Sequence, residues 1–224
     1  MPADQTQSDQ RLTAAVIDTQ TTSRLALPLL LPSIRFTGVY ETTDQFLAAA
    51  PSAAVVAMDL HLDGLGHRPT HQRFESVSAV AQAGYRVCIY TSERTNVVLV
   101  AALVAGAHGV VHKAEPMHDL ESALRHVAAG ETVITPALGG LAEMAERQHL
   151  IPRLTPRQHQ ILAARARGEK FDSIARRLFI SKKVAEEHWA AVASKFGDFL
   201  HQHSPADLER LLGLDPGDLL DWYP

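Results

Sequence analysis

A chain of 224 residues, 46% hydrophobic and 21% charged, is long enough for two modest domains and too apolar for large-scale disorder. Its net charge of −4 is unevenly spread: residues 154–197 carry nine Lys/Arg against four Asp/Glu, residues 1–153 eleven against fifteen, and residues 198–224 one against six. A basic block between two acidic ones is the pattern expected when a single domain meets a polyanion.

The single Cys88, in the apolar run RVCIYT, excludes an intramolecular disulfide and reads as a buried thiol in a reducing cytoplasm. MPADQTQSDQ has neither the basic start nor the apolar run of a secretory signal. The longest apolar run, LALPLLLP, holds two prolines and falls far short of the ~20 residues that span a bilayer. A soluble cytoplasmic protein without membrane association is expected.

Along the chain, strand-like runs are TAAVID, RFTGVYE, AAVVAMDL, YRVCIYT and HGVVHK, with helical patterns such as TTDQFLAAA, FESVSAVAQAG and NVVLVAALVAGA between them. Pro28 is expected to kink or shorten the first helix. A last helix, MHDLESALRHVAAG, begins after Pro116 and stops at Gly130. Five such units predict a doubly wound, five-stranded parallel sheet with helices on both faces over residues 12–134. Residues 135–153 read as a partly helical linker, residues 154–214 as an all-α domain, and residues 215–224 as an acidic tail ending in Trp222 and Tyr223. The fold class is therefore α/β plus all-α.

In LTPRQHQILAARARG, Thr155 can cap a helix, with Pro156 at its first position and Gln158 at capping-box spacing. FDSIARRLF follows as a short helix, IS as the turn, and Lys182 to Phe196 as a third helix. Ile174, Ala175, Leu178 and Ile180 face inward, as do Ala185, Trp189, Val192 and Phe196. Two short helices joined by a tight turn fit helix-turn-helix geometry, and a generic helical bundle is the alternative.

Residues 154–197 resemble the DNA-binding domain of LuxR/NarL-type regulators at Leu154 to Arg157, Ile161, Leu162, Gly168, Ile174, Ala175, Leu178, Ser181, His188, Val192 and Lys195 to Gly197, without a gap. The resemblance places Lys182, Lys183, Glu186, Glu187 and Ala190 toward the major groove, and the positive charge of Arg176, Arg177, Lys195, Arg157, Arg165, Arg167 and Lys170 is available for phosphate contacts. It often has Lys or other contacting residues where this chain has Glu186, Glu187 and Ala190. Carboxylates there are repelled by phosphates unless neutralised or aimed at a cytosine amino group. Lys182 and Lys183, four residues before the two glutamates, offer an ion-pair ladder as the plainer account. Where the family has Thr-Val this chain has Val184 and Ala185, and Trp189 compensates the smaller Ala185 in volume.

In an open parallel sheet chemistry collects at the carboxyl ends of strands. Asp18, Asp59, Thr91 and Lys113 fall there: two carboxylates, a hydroxyl and an ammonium able to hold Mg²⁺ and a phosphoryl group. This set resembles the receiver domain of response regulators, and HVAAGETVITPAL resembles the end of its NarL-type form. The resemblance makes Asp59 the phosphoacceptor, Asp18 and Asp59 the Mg²⁺ ligands, Thr91 the switch hydroxyl and Lys113 the phosphate-pairing lysine. Thr19 stands in place of a second acid, Val110 in place of an aromatic switch residue, and Asp63 in place of a proline. Loss of a carboxylate weakens Mg²⁺ binding and with it phosphotransfer. Asp59 as a plain strand-end carboxylate stays open.

Twelve histidines, including the i, i+4 pair His67 and His71 and the group His108, His112 and His118, read as surface residues rather than as metal ligands. In SPADLERLLGL, Leu208, Leu211 and Leu212 form one stripe, either a dimer contact or a cap on its own bundle. No nucleophile–base arrangement or phosphate-cradling glycine loop argues for an enzyme. The expected function is a DNA-binding transcriptional regulator without a resident cofactor, Mg²⁺ being the weak candidate. The expected partners are double-stranded DNA and a second copy or related regulator, with phosphorylation-independent control and a sensor kinase unassigned. The alternative is a co-regulator that heterodimerises with a related DNA reader and binds DNA poorly alone.

Overall fold

The computed structural model describes residues 11–61 and 70–219. Asp63, His67, Trp222 and Tyr223 lie outside the described residues, as does the side chain of His71. Strands β1 (Leu12–Ile17), β2 (Ile34–Tyr40), β3 (Val55–Met58), β4 (Val87–Thr91) and β5 (Gly109–His112) form one parallel sheet in the order β2-β1-β3-β4-β5. Helices α1 (Thr21–Leu30), α2 (Thr43–Ala49), α3 (Thr70–Gln82), α4 (Asn96–Val104) and α5 (Met117–Ala128) alternate with the strands. The predicted five-unit architecture is the one observed.

Strand alternation sorts the helices. Ala14 and Val16 of β1 pack with Leu27 of α1 and Leu120, Leu124 and Val127 of α5. Ala15 and Ile17 point the other way, into Phe46 of α2, Val77 of α3 and Leu99 of α4. A period of two thus buries both faces of the sheet under helices. Pro28 does not end α1, which runs on to Leu30 before closing at Leu31. Val133 adds to the free edge of β5: its N–H donates to His108 O at 3.0 Å and its carbonyl accepts from Val110 N at 2.9 Å. That pairing covers an edge otherwise open to another strand.

Helices α6 (Pro136–Arg147), α7 (Pro156–Ala166), α8 (Phe171–Leu178), α9 (Lys182–Gln202) and α10 (Pro205–Leu212) make up the second half. The expected linker is mostly α6, which packs on α7, α4 and α10 rather than hanging as a tether. Gly139 makes the α6–α7 approach possible, because a Cβ there would lie 3.0 Å from the Ala166 Cα. The anticipated capping box is present: Thr155 Oγ1 accepts from Gln158 N at 3.2 Å and Gln158 Oε1 accepts from Thr155 N at 3.0 Å. Helix α9 runs six residues beyond its expected end at Phe196. One apolar cluster runs from the sheet through Leu138, Ile161 and Trp189 to Leu212, so the two halves share a core. Leu208 and Leu212 are buried in it, which settles the leucine stripe as mainly a cap on its own bundle.

Candidate nucleic-acid interface and strand-end pocket

The order β2-β1-β3 reverses direction at β1 and opens a crevice at the carboxyl ends of β1 and β3. Asp18 and Asp59 follow those strands, and each is 2% exposed. Lys113, just past β5, donates its ammonium to Asp18 Oδ2 at 2.8 Å and to Asp59 Oδ2 at 2.7 Å. Burial alone would lower the Lys113 pKa, but the hydrogen bonds to Asp18 and Asp59 outweigh it and raise it. The other oxygen of Asp18 accepts from Gln20 N at 2.7 Å. Asp59 Oδ1 is buried without a hydrogen bond among the described residues, and His61 Nδ1 stands 3.7 Å away. Thr91 is fully buried, and its hydroxyl accepts from Glu93 N at 3.2 Å.

Sequence reasoning placed Thr19 here only as a replaced acid, and it missed Arg24 altogether. Thr19 Oγ1 donates to His61 O at 2.9 Å, which ties the β1 loop to the β3 loop. Arg24 of α1 donates to the carbonyls of Asp18 at 2.6 Å and Thr19 at 2.9 Å, and pairs with Glu41 at 3.3 Å. Arg24 carried no motif signal; its contacts come from a helix start folding back over a strand end.

In the helical half, α8 ends at Phe179 in the left-handed region, φ 54°, and the chain turns through Ile180 into α9. Ser181 caps α9 by accepting from Val184 N at 3.1 Å. Ala185, Trp189, Val192 and Phe196 are buried, as expected. Lys182, Lys183, Glu186, Glu187 and Ala190 share the outward side. Lys182 lies 3.8 Å from Glu186 and Lys183 lies 4.0 Å from Glu187, loose pairs at partly exposed positions that bring little stability. Arg176 is exposed and donates to Asp172 O, while Arg177 pairs with Glu169 at 2.8 Å.

Two expected phosphate contacts are otherwise engaged. Lys195 donates to Arg153 O at 2.9 Å and Gln158 Oε1 at 3.1 Å, joining α9 to the start of α7. Arg165 is a correction: it is buried, its guanidinium 4.2 Å from the Phe171 ring, because α7 turns that position inward.

The outward side of α9 faces the first half. Lys183, Glu186, Glu187 and Ala190 line a cleft of about 680 Å³ whose opposite wall is His126, Gly130 and Glu131. Among the described residues no His, Cys, Asp and Glu gather in threes to hold a metal, and no helix is long and apolar enough to cross a membrane.

A receiver-like α/β domain whose strand-end acids meet a lysine, joined to a capped helix-turn-helix, defines the response-regulator class of architecture. Residues 152–198 match the family described as bacterial regulatory proteins, luxR family. The nitrate/nitrite response regulator NarL of Escherichia coli K12 is 28% identical over 167 residues, 71% of this chain and 76% of its own. Among solved structures, RcsB of Salmonella enterica serovar Typhimurium, bound to promoter P1flhDC in the presence of phosphomimetic BeF3-, superposes with a TM-score of 0.52. It is 17% identical and covers 95% of this chain and 98% of its own. A structure of two RcsB dimers bound to two parallel DNAs superposes with a TM-score of 0.50 at 18% identity, covering 86% and 97%. The chain thus carries a luxR-family match over residues 152–198 and is similar over 71% of its length to a protein named as a response regulator.

Proposed function

We propose that this chain is a dimeric transcription regulator that reads double-stranded DNA through α9, under control that does not pass through phosphorylation of Asp59. Support for DNA reading lies in the capped helix-turn-helix and in the basic block around it, with Arg176 and Arg177 exposed beside the turn. NarL-type ancestry and the DNA-bound RcsB folds point the same way. Dimer formation rests on analogy to the RcsB dimers. Across the cleft Lys183, Glu186, Glu187 and Ala190 look onto His126, Gly130 and Glu131, so on this reading the halves part to expose the probe helix.

The observation that carries the control reading is the Lys113 clasp. Mg²⁺ demands six oxygens near 2.0–2.1 Å in octahedral array. Here one ammonium already spans the two carboxylates, and Thr19 supplies a hydroxyl committed to His61 O where a third acid would help. These residues do not fit a magnesium ion as they stand, which leaves phosphotransfer to Asp59 without its metal support. A partner or small molecule then sets the balance of open and closed forms.

Fluorescence anisotropy of random duplexes across salt concentrations tests the DNA reading. A linear fall of log K with log salt, flattened in Arg176→Ala/Arg177→Ala, supports it; absence of binding at low salt sinks it. Melting curves with beryllofluoride and Mg²⁺ test the control reading, with no shift expected.

A second reading, the heterodimeric co-regulator, draws on Glu186 and Glu187, whose charge offsets the only two lysines on the probe face. It requires DNA complexes to form only when a related regulator is added.

A further inference from the structure

Between the two halves lies a cavity of about 70 Å³, walled by β5 and α5 on one side and by α7, α8 and α9 on the other. Its polar groups come from both: Glu115 and Asp119 from the receiver-like half, Arg165 and Glu186 from the helical half. Arg165 is 8% exposed. Its guanidinium sits 4.2 Å from the Phe171 ring centre and 5.7 Å from that of Trp189, and one terminal nitrogen donates to Glu169 O at 3.0 Å. Its Nε is buried and finds no acceptor among the described residues. A buried donor on a charged group, left unpaired, carries a full desolvation penalty, and Arg165 is the guanidinium that lines the cavity.

The surrounding charges narrow the chemistry. Glu115, Asp119 and Glu186 all act electrostatically on Arg165. Burial pushes the Glu115 carboxyl above its ordinary range, and its Oε1 accepts from His112 N at 3.2 Å. A simple anion would satisfy Arg165 but meet the carboxylates, and a simple cation would satisfy the carboxylates but meet Arg165. A molecule with both charges on neighbouring atoms satisfies both. One water needs about 10–15 Å³ of space measured this way, so the cavity admits roughly five heavy atoms.

We infer that this cavity binds a small zwitterion of the α-amino acid class, with its carboxylate on Arg165 and its ammonium toward Glu115, Asp119 and Glu186. Because the walls belong to both halves, an occupant favours the arrangement in which α9 faces α5. That consequence rests on the DNA-reading proposal; the binding itself does not.

Titration calorimetry and melting of the full chain with glycine and alanine test the site, with acetate and methylamine as single-charge controls. Saturable heat and a raised Tm are expected with glycine or alanine and not with the controls. Arg165→Lys and Glu115→Gln should each weaken binding by roughly tenfold or more, since a hydrogen bond to a charged group is at stake. Circular dichroism reports whether each variant is folded, and Glu115→Gln, which keeps the side-chain shape, carries the comparison if Arg165→Lys is not. The site is overturned if neither amino acid binds, if acetate binds as well as glycine, or if the folded variants bind like the parent. Glycine binding without DNA binding removes the transcriptional reading alone, and DNA binding without glycine binding removes the site alone.

Discussion

The Lys113 ammonium lies 2.7 Å from Asp59 Oδ2 and holds that buried carboxylate from 54 residues away in sequence. Removing it, as in Lys113→Met, leaves Asp18 and Asp59 facing each other uncompensated and should cost on the order of 3 kcal/mol in denaturant unfolding. The pH dependence has a definite sign. The folded pKa of Lys113 stands above its ordinary 10.5, so its contribution is complete below pH 10.5 and is lost as pH rises through the folded value. Unfolding curves at rising alkaline pH should converge for the parent and Lys113→Met; a constant gap would contradict the pairing.

Restoring a carboxylate beside Asp18 should bring back an affinity for magnesium. Thr19→Asp is expected to gain a Mg²⁺-dependent rise in Tm that the parent lacks, because a third acid can compete with Lys113 for the metal's ligands. Equal responses in parent and variant would show that Thr19 is not what limits the pocket.

Charge on the probe helix sets affinity for nonspecific DNA. Glu187→Lys replaces a repelled carboxylate with a cation at an exposed position, and should tighten binding to random duplexes and steepen the salt slope by about one. An unchanged slope would place that face away from the phosphates and favour the co-regulator reading.

Cys88 should be chemically silent in the folded protein. Burial, with a contribution from Glu115, pushes its thiol from 9.0 up to about 12, and the side chain is fully buried. A thiol reagent at mildly alkaline pH should label native protein roughly a hundredfold more slowly than unfolded protein. The raised value favours the folded state fully below pH 9.0, and that advantage declines from there to about 12. Prompt labelling of native protein would contradict the burial.

Much of the architecture was legible in the residues. TAAVID, AAVVAMDL and the other short apolar runs became strands because each is bounded by turn residues and followed by a helix-period segment. Thr155 and Gln158 announced their own hydrogen bonds, since capping is decided within four residues. Asp18, Asp59 and Lys113 could be placed at one sheet edge from the βα alternation alone. Arg165 shows the opposite case: its charge suggested a phosphate contact, but its helical phase against the receiver-like half turned it toward Phe171 and Trp189. Arg24 was invisible for a similar reason, because its acceptors are backbone carbonyls that exist at that point only after β1 and α1 are assembled.

The sequence by itself determined the five-unit parallel sheet, the helix-turn-helix and its caps, because periodicity and capping act over a few neighbouring residues. Only tertiary structure decided that Lys113 bridges both acids, that α6 welds the halves into one core, and that the outward side of α9 looks onto α5. Those outcomes depend on which distant groups share a small desolvated volume. Partners separated by 95 positions, as Asp18 and Lys113 are, meet only when the whole chain has packed.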